Sequence, residues 1–156
     1  MTALRCFVLL VAMLPVVDAT AQETTKPEDK ELAILAQKIE AFFDNLRRDN
    51  VTTADALGDL LADGPLAQSD QRKALVEKVD ALDDRFGKFI EAERIAATRV
   101  GKDLVVLRYL HKAERFPIVW NVTFYRDFKR PETTDGPGNW IVVALRFDTR
   151  LDRLVP

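Results

Sequence analysis

The chain has 156 residues, with 23 basic side chains against 25 acidic ones, a formal net charge of −2, one histidine and one cysteine. This near-neutral balance lacks the basic footprint of a nucleic-acid-binding protein and the polybasic cluster that binds anionic lipid. The length suits one domain that buries a core without disulfide bonds or metal ions. We therefore expect no nucleic-acid partner, no metal and no cofactor.

The first 21 residues have the three parts of a secretory signal peptide. Arg5 precedes an apolar run from Cys6 to Val17, and Ala19-Thr20-Ala21 then offers the small-x-small pattern that signal peptidase accepts. A membrane-spanning helix needs about 20 apolar residues, and this run is shorter and contains a proline. We therefore expect cleavage, with no membrane anchor afterwards and with the only cysteine removed. The predicted location is extracytoplasmic, either periplasmic or secreted.

The rest of the chain predicts a short polar leader and one domain. Residues 22–26 (QETTK) lack apolar periodicity and are interpreted as a flexible leader. Residues 27–156 are predicted to form a single α+β domain. Its first half has apolar residues at helical spacing, bounded by residues that start and stop helices. Three helices are predicted, at Pro27–Asp49, Thr53–Ala62 and Asp70–Phe86.

After Gly87 the sequence changes to alternating apolar and polar residues rich in Val, Ile and aromatics, which is typical of strands. The apolar stripes of the helices need a sheet face to cover, and short connections favour strands that pair in sequence order. We therefore predict three N-terminal helices packed on one face of a curved four-stranded antiparallel meander. The four strands are predicted at Phe89–Arg99, Leu104–Ala113, Ile118–Asp127 and Trp140–Phe147.

This order of elements, over nearly all of the chain after cleavage, resembles the NTF2-like superfamily of cystatin-like α+β cones. A local run is similar to exported bacterial proteins of this type: Tyr109-Leu110, Glu114-Arg115, Pro117, Trp120, Phe124-Tyr125, Trp140 and Phe147-Asp148. The resemblance implies a cone that encloses an apolar pocket, and dimerisation through the outer sheet face. The superfamily includes both enzymes and binding proteins, so the fold does not choose the function. The tyrosine and carboxylic acids of its steroid-isomerase-like members map onto no positions here, and no catalytic residue is assigned.

Two arginines interrupt otherwise apolar strand faces, Arg108 on the second strand and Arg146 on the fourth. An arginine between apolar neighbours needs a partner or access to water. Glu93 on the first strand is a candidate partner. One interpretation is a pocket that holds an anionic or carbonyl group. The other is a structural pair, or arginines on the outer face whose stems lie on apolar surface, as long basic side chains commonly do.

The aromatic residues of the predicted inner sheet face are either core residues or the lining of a cavity. Together with the polar candidates they give this set of ligand-pocket residues: Glu93, Arg108, Trp120, Phe124, Arg146 and Phe147. His111 lies near a strand end and has no identified partner, so we interpret it as an exposed residue rather than a general base.

The outer face of the sheet is predicted to be an interface. Strict alternation places a semi-apolar set of side chains there, and such a surface is typical of protein contacts. The set consists of Thr123, Tyr125, Trp140, Val142 and Ala144. We therefore expect a homodimer through this face.

The leading hypothesis is an exported, non-catalytic binding protein that holds a small apolar ligand or a protein partner. One alternative is a small acid–base enzyme of the isomerase, dehydratase or hydrolase type that uses the pocket of the cone. A second alternative is an interaction-only protein whose core is filled by its own side chains. An open cavity with convergent polar groups favours a binder or an enzyme, whereas a filled interior favours interaction alone.

The predicted cleavage site gives a direct test of export. We expect protein recovered outside the cytoplasm to begin at Gln22, because residues 19–21 form the best peptidase site after the apolar run. N-terminal sequencing measures this start. An intact Met1 on extracytoplasmic protein would contradict the signal-peptide interpretation.

Overall fold

Three helices precede four strands along the chain, as the computed structural model shows for residues 27–129 and 139–151. The helices are α1 (Pro27–Leu46), α2 (Thr53–Leu61) and α3 (Ser69–Phe86), with a short 3₁₀ turn at Pro65–Ala67 between the last two. The strands are β1 (Phe89–Val100), β2 (Leu104–Ala113), β3 (Ile118–Arg126) and β4 (Trp140–Asp148). The predicted signal peptide and leader, most of the loop between β3 and β4, and the end of the tail lie outside the described residues.

The strands form one open antiparallel sheet in the order β1-β2-β3-β4. The prediction of an α+β fold with a four-stranded meander is therefore confirmed. Within the described ranges, no helix is both long enough and apolar enough to span a membrane.

The start of α2 shows how local chemistry fixes an element. The Thr52 hydroxyl oxygen accepts a hydrogen bond from the Asp55 backbone N–H at 3.1 Å, and the hydroxyl donates to the Asp55 carboxylate at 2.6 Å. Thr52 is therefore the N-cap of α2, as the sequence predicted, and its hydroxyl binds both the backbone and the side chain of Asp55.

The helices cover one face of the sheet, and the core lies between them and the strands. Trp120 is fully buried at its centre, with its ring 5.6 Å from Phe42, 5.5 Å from Phe43 and 4.6 Å from Phe147 between centroids. The tilted and edge-on orientations are those that aromatic rings prefer. This face is therefore filled by interlocking aromatic side chains around Trp120.

The strand β4 changes face part-way along its length. Thr123 lies opposite Ala144 but Phe124 lies opposite Val142, so β4 has one extra residue at this point. Such a bulge breaks strict alternation. Trp140 and Val142 consequently lie on the helix-covered side, with 4% and 1% of their surface exposed. Their predicted place on the outer face was wrong.

An ion cluster fastens the start of α1 to the end of the sheet where β1 and β3 terminate. The Glu31 carboxylate accepts from Arg99 at 2.8 Å and from Arg126 at 2.9 Å. Both guanidinium groups also lie over the Trp140 ring, at 5.7 Å and 4.9 Å from its centroid. Partial burial raises the pKa of Glu31, but the hydrogen bonds and charges of the two arginines outweigh this effect, so its pKa is lowered.

Trp120→Ala tests the aromatic core. Because the indole has no exposed surface, we expect the free energy of unfolding to fall by about 3–5 kcal/mol. Phe128→Ala is the matched control, since Phe128 is 66% exposed, and it should stay within about 0.5 kcal/mol of the wild type. Urea denaturation measures both. Equal losses in the two variants would contradict the core assignment.

Candidate functional site

A groove of about 480 Å³ lies on the sheet face opposite the helices. Its walls come from three neighbouring strands and from the chain just after β4. The lining residues are Arg108, Val119, Asn121, Thr123, Ala144, Arg146, Asp148 and Arg150.

The register of the sheet places both of the predicted arginines in one row. Arg108 lies opposite Asn121, and Asn121 lies opposite Arg146. Cβ atoms of directly opposed residues are about 5 Å apart. Two guanidinium groups therefore flank one side-chain amide across three strands. The sequence named both arginines as candidates, and the structure brings them together.

The end of the groove is formed by the chain that leaves β4. The Asp148 carboxylate accepts a hydrogen bond from the backbone N–H of Arg150 at 2.8 Å, which turns the chain at this point. Asp148 and Arg150 both line the groove as a result. Sequence reasoning missed Asn121, Asp148 and Arg150. Alternation along β3 could have placed Asn121 in the row, but nothing in the sequence locates Arg150, which follows the strand.

The groove is positively charged, because three of its lining residues are arginines and one is an aspartate. Guanidinium groups remain protonated in proteins, and their planar forks match the geometry of carboxylates and phosphates. Arg108 is half-buried, whereas Arg146 and Arg150 are exposed. The arrangement can hold an anion through charge and hydrogen bonds, with Asn121 and Thr123 as further polar contacts.

The remaining predicted pocket residues lie elsewhere. Glu93 is on β1 opposite Leu110, and its carboxylate is 3.1 Å from the Lys112 ammonium. Trp120 and Phe124 are fully buried on the helix-covered face, where Phe147 also packs against Trp120. The structure therefore separates the aromatic candidates from the arginines by the thickness of the sheet.

His111 is buried, and its predicted exposure was wrong. Its exposed fraction is 3%. The centroid of its ring lies 4.7 Å from that of Phe89 and 6.1 Å from those of Phe43 and Trp120. The alternation of β2 turns it to the same side as the buried Tyr109, and the helices cover that side right to the strand end. Neither ring nitrogen has a hydrogen-bond partner among the described residues. Burial lowers the pKa of His111 to about 4, although the Asp83 charge acts in the opposite direction.

In the part of the chain that the structure describes, no cluster of three or more His, Cys, Asp or Glu side chains could hold a metal ion.

Comparison of the chain with protein-family models, with curated proteins and with solved structures finds no match. The groove and the buried histidine are therefore interpreted from their own chemistry.

The buried histidine predicts a loss of stability in mild acid. Its pKa is about 4 in the folded protein against 6.5 for the free side chain, so between these values the unfolded chain binds a proton that the folded chain does not. The free energy of unfolding therefore has its full value above about pH 6.5 and decreases as the pH falls toward 4. At about pH 5 we expect the free energy of unfolding to be lower by about 2 kcal/mol than at about pH 7.

Urea denaturation at the two pH values measures this difference. His111→Phe keeps a ring at the position and removes the titrating group, so most of the difference should disappear in that variant. A variant with the same dependence on pH as the wild type would show that other groups cause it.

Proposed function

We propose that this chain is an exported, non-catalytic binding protein whose ligand site is the groove on the open sheet face, and that the ligand is a small organic anion. The row formed by Arg108, Asn121 and Arg146, with Arg150 at the end of the groove, carries the proposal. A concave surface with several convergent cationic donors has the chemistry that recognises carboxylates and phosphates.

The size of the groove supports a small molecule as the ligand. Its volume of about 480 Å³ falls within the range of about 300–1,000 Å³ that is typical of small-molecule sites. Its positive charge stands out on a protein with a net charge of −2, and such a local field favours anions. A small apolar ligand has less support, because Trp120 and Phe124 are already packed against the helices.

A second copy of the chain is the alternative occupant of this face. Tyr125 and Phe128 are 40% and 66% exposed and contact each other with ring centroids 6.2 Å apart. Thr123 and Ala144 also remain on the outer face, whereas Trp140 and Val142 do not contribute to it. A homodimer would bury this aromatic pair, and sedimentation equilibrium tests for one.

The NTF2-like assignment is part of the proposal. It is supported by the succession of three helices and a four-stranded antiparallel sheet, with the helices on one face. An acid–base enzyme in the helix-covered interior has less support than a binder. The histidine there is almost fully buried, and its pKa of about 4 makes it a weak base at neutral pH.

Binding of citrate and succinate at constant ionic strength tests the groove. We expect saturable shifts of the Asn121 side-chain amide signal in nuclear magnetic resonance spectra, with a dissociation constant raised about tenfold or more by Arg146→Gln, since one charge-assisted contact is lost. Arg48→Gln is the matched control, because Arg48 is exposed but lies after α1, away from the groove.

Three outcomes would contradict the proposal. The first is equal binding of a neutral compound of similar size, and the second is an equal effect of the two arginine substitutions. The third is a wild-type dimer that covers the groove and dissociates in Tyr125→Arg, which would assign this face to a second copy.

A further inference from the structure

A second, smaller cavity lies on the helix-covered side of the sheet, at the corner where α1 ends and β1 begins. Its volume is about 100 Å³, and its apolar walls are Leu46, Val79, Leu82 and Phe89. His111 completes the floor. The cavity is separate from the arginine groove, since the sheet lies between the two. About 100 Å³ corresponds to about three water molecules at about 30 Å³ each, so a ligand here has few heavy atoms.

The polar chemistry of this cavity begins with His111. Its side chain is almost fully buried, and both ring nitrogens lack a partner among the described residues. A neutral imidazole has one nitrogen that accepts a hydrogen bond and one that donates. Buried polar atoms without partners are costly and rare in folded proteins. The acceptor nitrogen therefore offers a binding position for a donor inside the cavity.

Two carboxylates line the same cavity. Asp80 and Asp83 are three residues apart on α3 and so lie on one side of that helix. The Asp83 carboxylate already contacts an ammonium group, because Lys88 Nζ is 3.0 Å from it. Its negative charge also raises the pKa of His111 against the effect of burial, so its field reaches the ring. The cavity thus combines negative charge, an imidazole acceptor and the Thr53 side chain.

An aromatic wall completes the set of interactions. The Phe89 ring lines the cavity and lies 4.7 Å from the His111 ring in an edge-on arrangement. The faces of this ring are already engaged, because it stacks on Phe43 with centroids 5.8 Å apart and the Arg47 guanidinium lies 5.5 Å from its centroid. Phe89 therefore supplies an apolar wall, and the preference for a cation over an anion comes from the two carboxylates.

We propose that this cavity binds a small primary ammonium ion, held between the His111 imidazole and the carboxylates of Asp80 and Asp83. The ammonium group has three N–H donors, which can serve the imidazole nitrogen and both carboxylates. The short alkyl chain packs against Leu46 and Val79. Because the ligand has only a few heavy atoms, the dissociation constant is expected on the order of 1 mM or weaker.

His111 is the only histidine of the chain, so its ring nitrogens give a unique reporter. We propose to titrate the protein with ethylammonium chloride at neutral pH and constant ionic strength, and to follow the long-range proton–nitrogen spectrum of the imidazole. The expected result is a saturable shift of one ring nitrogen. Ethanol, which is neutral and has the same number of heavy atoms, and tetraethylammonium, which is too large, should produce no saturable shift.

Two substitutions that each remove one negative charge distinguish a direct contact with the ligand from a general electrostatic effect. Asp80→Asn should raise the dissociation constant of ethylammonium about tenfold. Asp84→Asn should leave it within about twofold, because Asp84 is on the same helix but does not line the cavity. Both positions are exposed, so the fold should be retained, and circular dichroism checks this.

Absence of a saturable shift with ethylammonium would overturn the proposal, as would equal saturation by ethanol, which would indicate a site for water or a hydroxyl group. Equal effects of the two aspartate substitutions would also overturn it. The result is independent of the arginine groove, because Arg146→Gln should weaken anion binding without changing the ethylammonium titration.

Discussion

The helices cover only one face of the sheet, and most other features follow from this one-sided packing. The aromatic cluster around Trp120 holds the helices on that face and leaves no exposed surface on the indole. Hydrophobic burial of this kind is the main favourable term in folding. The opposite face carries the polar residues of the groove, of which Arg146 is exposed. Both candidate sites depend on this division, since the groove lies on the open face and the small cavity lies under the helices.

Arginines occur in two different surroundings in this structure. Arg99 and Arg126 share the Glu31 carboxylate and lie over the Trp140 ring, so they serve to fasten α1 to the sheet. Arg146 is exposed in the groove beside Asn121. The first pair of arginines is engaged with one carboxylate and has a structural role, whereas the ligand role of the groove arginines is our proposal.

The corner between α3 and β1 explains how a lone histidine becomes buried. Gly87 turns the chain there with a φ of 89°, a conformation that favours glycine, and a Cβ atom at this position would lie 2.8 Å from Glu114. The Arg115 guanidinium donates to the main-chain carbonyl oxygen of Asp83 at 3.2 Å, near the end of α3. These contacts hold the end of α3 over the open end of the β1–β2 hairpin, where β1 begins and β2 ends. His111 and the carboxylates of α3 meet as a consequence, although they are far apart in sequence.

The sequence by itself determined the helices, the strands and their order, because hydrophobic period, helix caps and short connections are local signals. It also named Arg108 and Arg146 as candidates, since an arginine in an apolar strand is visible in the alternation. Only the tertiary structure decided which face each side chain occupies. One extra residue in β4 moved Trp140 and Val142 into the core, and a single bulge of this kind leaves no clear mark on an apolar run such as residues 140–145. The burial of His111 and the place of Arg150 in the groove depend on contacts between distant segments, which no local pattern encodes.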